Sequence, residues 1–160
     1  MKIGMCMFLW TTHVIDAHEP ILRDIKATGF DGVEVPVFEG AVDDYRRIGD
    51  LLDRIGLERT AVSAIGDPTR NLISPSASER AAGVDHVRWA IDCAAALGAN
   101  TLCGPLHSPL GHFSGEGPSA AELARSVDSQ RKIGDHAATR GVTIGLEALN
   151  RFECYLVNTM

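Results

Sequence analysis

Short apolar runs alternate with amphipathic stretches along nearly the whole chain, and this alternation restricts the possible folds more than any other feature. Ile3 to Leu9 is brief and continuous, as expected of a strand buried on both faces in a parallel sheet. Gly32 to Val37, Thr60 to Ile65, Thr101 to Gly104 and Val142 to Leu149 repeat the pattern. Between them, apolar residues recur at three- and four-residue steps, predicting helices over Ala17 to Thr28, Val42 to Ile55, Ser78 to Leu97 and Ala120 to Arg140. Gly29, Gly56, Gly98 and Gly141 follow these helices as stops, and Pro20 falls in a first turn, where its missing amide hydrogen costs nothing. Strand, helix, strand in strict succession predicts an α/β fold with a parallel sheet. Two architectures satisfy that order. A doubly wound open sheet needs no further strands, whereas a (β/α)8 barrel needs eight strands and about 250 residues. Periodicity alone does not separate them, although no GxGxxG follows the first strand, which disfavours a dinucleotide-binding fold.

With 45% hydrophobic and 22% charged residues, the 160-residue chain reads as about one soluble globular domain. A net charge of -6 disfavours nucleic acid and anionic membranes as partners and leaves small molecules. Cys6, Cys93, Cys103 and Cys154 are scattered singly, so neither a zinc ribbon nor a disulfide framework is expected. The first three lie in apolar runs and read as small buried hydrophobes. The N-terminus lacks the pattern of a signal peptide and no run approaches the roughly 20 apolar residues of a membrane span, so a cytoplasmic location is the expectation.

The richest polar segment closes the fifth strand, at the edge where parallel α/β folds place their sites. Alternation puts Val142, Ile144 and Leu146 on one face and Thr143, Gly145 and Glu147 on the other, which in a barrel faces the axis. A carboxylate there needs a polar partner, and a divalent cation or a polar substrate would supply one. Asn150, Arg151 and Glu153 follow, with a solvated Arg151–Glu153 ion pair as the plain structural reading. Glu34 faces away from Val33, Val35 and Val37 in the second strand and is either a site residue or a rim salt-bridge partner. Trp10 ends the first strand, as a wall of a site or as core. His13, His107 and His112 lie in loops without a regular ligand spacing, and His18, His86 and His136 read as helix-surface residues. The loop from Pro105 to Ser119 is long for a packed fold, which points to function or disorder. No Ser/His/Asp arrangement suggests a hydrolase.

The run Leu146-Glu147-x-x-Asn150-Arg151-Phe152-Glu153 resembles the sugar 3-epimerase group, typified by D-tagatose and D-psicose 3-epimerases, within the xylose-isomerase-like TIM barrels. Lys2-Ile3-Gly4-Met5 with Trp10, Gly29-Phe30-Asp31-Gly32-Val33-Glu34, Ser74-Pro75 and Leu97-Gly98-Ala99 support it in the same order along the chain. The resemblance implies the first five strands and four helices of a (β/α)8 barrel, incomplete within these residues, as the N-terminal part of one domain. It implies that Glu147 is both a ligand of a divalent metal (Mn2+, Co2+ or Mg2+) and catalytic in moving the C3 proton of a ketose through a cis-enediolate. Glu153 would bind the substrate near O1 and O2, and Trp10 and Glu34 would contact it. In that group an aspartate, a histidine and a second glutamate from later strands complete the metal site, so these residues alone are expected to be inactive. A hydroxypyruvate isomerase or inosose dehydratase type of barrel enzyme, or a noncatalytic half-barrel that self-associates, are the alternatives. Exposed edges at the first and last strands point to a homo-oligomer. Val157-Asn158-Thr159-Met160 carries no helix stop, and a fifth helix is expected to begin about there.

Overall fold

The computed structural model describes residues 1–159. Its elements follow the expected order: β1 (Gly4–Cys6), α1 (Glu19–Ala27), β2 (Gly32–Pro36), α2 (Val42–Ile55), β3 (Glu58–Val62), α3 (Ala77–Leu97), β4 (Thr101–Gly104), α4 (Ala120–Arg140) and β5 (Thr143–Leu146). The helices match their expected ranges because their ends are encoded locally. Gly56, Gly98 and Gly141 adopt the left-handed conformation that closes α2, α3 and α4. Ser119 accepts from the Glu122 amide while the Glu122 side chain accepts from Ser119, so α4 starts at a capping box.

Three strand expectations need correction. The third strand runs over Glu58–Val62 and not Thr60 to Ile65, because its pairing with β2 begins at Glu58 and ends at Val62. The first strand does not reach Leu9: it ends at Cys6, and Met7–Leu9 tightens into a 3-10 turn. A strand at the edge of a sheet has a partner on one side only, so Met7 to Leu9 make local bonds instead, with the Trp10 and Thr11 amides donating to the Met7 carbonyl. The fifth strand is also shorter than Val142–Leu149, because its pairing with β4 runs only from Thr143 to Leu146. No helix begins between Val157 and Thr159, and Met160 lies outside the described residues.

All strand pairs are parallel, in the spatial order β1-β2-β3-β4-β5. That order decides between the two architectures. A doubly wound sheet reverses its strand order part-way, which puts helices on both faces. Here each right-handed crossover advances by one strand, so the helices share one face. They pack in sequence, α1 on α2, α2 on α3 and α3 on α4. The core fills the space between this layer and one side of the sheet, where Val33, Val35, Ala61 and Leu102 meet Leu22, Leu52, Ile91 and Ile133.

The opposite face carries no helix. Register aligns Cys6 with Glu34 and Glu34 with Thr60, then Val62 with Cys103 and Cys103 with Gly145. This face corresponds to the inside of a barrel, and it is mostly polar or small. Among the described residues β1 and β5 are not paired with each other.

Candidate active site

Glu147 follows β5 directly, and its position is set by β4. Gly104 has φ +134, and a Cβ there would run into the Ser63 carbonyl, so only glycine lets β4 turn this close to β3. The freed Gly104 carbonyl accepts from the Glu147 amide at 3.0 Å and from the Leu106 amide at 2.8 Å. Glu147 thus continues the alternation of β5 one residue past its end, on the side of Gly145 and Cys103. Its side chain is exposed.

Glu34 is half-buried on β2 and faces the same side. Two thiols register the carboxylates around them. Burial pushes Cys103 above its ordinary pKa, and the charges of Glu34 and Glu147 add to that shift. Burial likewise raises Cys6, with a hydrogen bond and charge from Glu34 contributing. Glu34 and Glu147 therefore act on a common patch of the uncovered face. Both thiols are only half-buried, which corrects the expectation that Cys6 and Cys103 are core residues; Cys93 is fully buried. A concavity of about 410 Å³ runs along this face from Asp31 and Glu58 up to Cys6 and Glu34. A larger hollow of about 510 Å³, beside Arg70, His86 and Trp89 on the helical side, touches none of the four candidate residues.

Trp10 is 47% exposed, beside the exposed Phe8 and Leu9, so it belongs to the rim and not to the core. Phe8 packs on Phe38 with ring centroids 5.3 Å apart, which ties the turn after β1 to the end of β2. Glu153 is exposed. Its carboxylate accepts from the Asn150 side chain, and among the described residues Arg151 makes no ion pair with it.

The long loop after β4 is ordered by contacts with the segments after β3 and after β5. Leu110 donates its amide to Ile65 at 2.9 Å, and Gly111 donates to the Glu153 carbonyl at 3.0 Å. Phe113 packs on Tyr155, whose hydroxyl donates to Glu122 at 2.6 Å. That bond, with those from Ser119, pulls the Glu122 carboxyl down to about 2.

His107 is the residue that sequence reasoning undervalued. It is 1% exposed, and Nε2 donates to the Glu147 carbonyl at 3.1 Å. Nδ1 then accepts from the Ser108 hydroxyl at 3.1 Å, and Cys154 Sγ lies 3.8 Å away. Burial holds the imidazole below its ordinary pKa, with the bond to Glu147 opposing. The available signal was its place in Pro105-Leu106-His107-Ser108-Pro109-Leu110, a loop too apolar to be solvated. His13 packs edge-on against Tyr45, and His86 and His136 are half-buried and bonded to Ala64 and Asp92, so neither of the latter is a plain helix-surface residue.

A singly wound parallel sheet with carboxylates at its C-terminal edge narrows the family, and the sequence profile of the xylose isomerase-like TIM barrels matches residues 22–160. The chain belongs to that family. It is 33% identical over 162 aligned residues to a ketose 3-epimerase of Arthrobacter globiformis, covering 99% of this chain and 55% of that protein. It is 31% identical to a D-psicose 3-epimerase of Agrobacterium fabrum, covering 99% of this chain and 56% of that protein. Among solved structures, an L-ribulose 3-epimerase superposes with a TM-score of 0.89 at 27% identity, over 99% of this chain and 54% of the other. A D-allulose 3-epimerase of Methylomonas in complex with D-allulose gives 0.87 at 26%, over 99% and 55%. The chain thus spans about half the length of the curated relatives it matches. Among the described residues no three His, Cys, Asp or Glu side chains group closely enough to hold a metal ion. Glu147 offers hard oxygen donors of the kind divalent cations take, as a single carboxylate. No helix among the described residues is long and apolar enough to cross a membrane.

Proposed function

We propose that the protein carrying this chain is a metal-dependent ketose 3-epimerase, and that the chain is the N-terminal part of its single barrel domain. The observation that carries this reading is the likeness to a ketose 3-epimerase over 99% of this chain and 55% of that protein, with Glu147 on the uncovered face at the C-terminal edge of β5. A divalent cation bound there would polarise the ketose carbonyl and acidify the neighbouring C–H bond. Glu147 contributes one carboxylate ligand and, as a base, takes the proton from C3 of the sugar; the further ligands come from strands outside this chain. Glu153, six residues on, accepts a hydrogen bond from the O1 hydroxyl, beside the C2 carbonyl. Trp10 offers an apolar surface to the ring or chain carbons, and Glu34 a second acceptor on the same face. A base on one side of C3 and an acid on the other invert that centre when the proton returns from the opposite face.

The test is incubation of the purified protein with Mn2+ and D-fructose, D-psicose, D-tagatose or L-ribulose in deuterated water. Formation of the C3 epimer with deuterium at C3 is expected. Loss of water to an unsaturated product, or aldose formation without a C3 change, would replace the epimerase reading with a dehydratase or an aldose–ketose isomerase.

A further inference from the structure

Glu147 stands where the β5 ladder has ended, so its backbone needs other partners: one is the last residue of β4 and the other lies in the loop after it. Its amide donates to Gly104 at 3.0 Å, and its carbonyl accepts from His107 Nε2 at 3.1 Å. The other edge of the same imidazole meets Ser108 Oγ at 3.1 Å and Cys154 Sγ at 3.8 Å, and Ser108 Oγ lies 3.4 Å from that sulfur. Cys154 directly follows Glu153, whose carbonyl accepts from the Gly111 amide at 3.0 Å. His107, Ser108 and Cys154 are each at most 2% exposed. One buried ring thus touches Glu147 and Cys154, the residue that directly follows Glu153. A ring of merely structural use needs only to be satisfied; this one is bonded to the Glu147 backbone and lies against Cys154, next to Glu153.

We propose that His107 is a positioning residue, which fixes the spacing and direction of Glu147 relative to Glu153 through its bond to the Glu147 carbonyl. This rests on the reading of Glu147 as a metal ligand. The two ring nitrogens have different partners, so two amide substitutions separate them. In His107→Gln the side-chain amide nitrogen reaches the place of Nε2 and keeps the bond to Glu147. In His107→Asn the shorter amide reaches only the place of Nδ1, keeping Ser108 and losing Glu147.

The measurements are Mn2+ affinity by calorimetry, kcat and KM for the preferred ketose, and amide hydrogen exchange over residues 147–153. His107→Asn is expected to weaken Mn2+ binding and lower kcat by about 10- to 100-fold, the usual cost of losing the support behind a metal ligand. KM should change far less, and exchange over the segment should quicken. His107→Gln should restore all of these to within about threefold of the wild type. If His107→Asn does not fold, Ser108→Ala, which frees the ring to turn, serves in its place and should weaken Mn2+ binding in the same direction. Equal Mn2+ affinity and kcat in the Asn and Gln variants, or an unchanged affinity in Ser108→Ala, would overturn the proposal. A wild type that neither binds Mn2+ nor epimerises a ketose would instead refute the reading of Glu147, and the exchange data would still report whether His107 holds the segment.

Discussion

Replacing Gly49 by alanine in the middle of α2 sets two effects of opposite sign against each other, and the structure says which wins. In an open helix the change is favourable, because glycine costs about 0.8–1 kcal/mol relative to alanine. At Gly49, however, an added Cβ would lie 2.5 Å from the Leu97 carbonyl oxygen and 3.0 Å from its carbon. That carbonyl is backbone at the last turn of α3, just before the Gly98 cap, and it also accepts from Arg59 Nε at 3.0 Å. It moves only if α2 and α3 separate or the Arg59 bond stretches. Overpacking of this kind costs about 1–3 kcal/mol, and a hydrogen bond from a charged donor contributes about 1.5–3 kcal/mol. After the propensity gain is subtracted, the net loss is on the order of 2 kcal/mol, or about 4–8 °C in Tm. Gly134 in α4 supplies the control, since a Cβ there has nothing within 4 Å. Gly134→Ala should therefore stabilise by up to about 1 kcal/mol. Urea titrations followed by far-ultraviolet circular dichroism on both variants make the comparison. A Gly49→Ala protein as stable as the wild type would refute the claim that close backbone approach of α2 to α3 selects glycine there.

Glu147→Gln keeps the shape of the side chain but removes both the charge and the base; epimerisation should fall by at least about a thousandfold and Mn2+ binding with it, and a variant retaining more than a tenth of the activity would exclude Glu147 from the chemistry. Burial holds His86 below its ordinary value of 6.5, so the unfolded chain takes up a proton there before the folded one does. Its contribution is complete above that value and is lost as pH drops below it toward the folded pKa. Urea midpoints at about pH 7.5 and about pH 5.5 should show this loss in the wild type and a smaller one in His86→Gln, and equal losses in both would contradict it. The 160 residues expressed alone expose the edges of β1 and β5 and the uncovered face, and should self-associate in size-exclusion chromatography. A monodisperse monomer across micromolar concentrations would show that these edges are already protected.

The helices were legible in the residues because what bounds them is local. Leu51, Leu52 and Ile55 mark the stripe of α2, and Gly56 halts it, whatever the rest of the chain does. Strand ends were less legible, since a strand lasts only as long as its neighbour does: β5 stops at Leu146 because β4 stops at Gly104. The candidate site divides in the same way. Period-two alternation is enough to set Glu34 and Glu147 apart from the apolar side of their strands. His107 was undervalued because its burial comes from Glu147, Ser108 and Cys154, two of them at least forty residues away.

By itself, then, the sequence determined the alternation of strand and helix, the helix limits and the carboxylates at the strand ends, all of which depend on residues a few positions apart. The tertiary structure decided the strand order, and with it a singly wound sheet with one uncovered face, because pairing between strands depends on distant crossovers. It also decided that Cys6 and Cys103 line that face, and that one buried histidine joins the loop after β4 to the Glu147 backbone and to Cys154, because burial and hydrogen-bond partners arise only when remote segments meet.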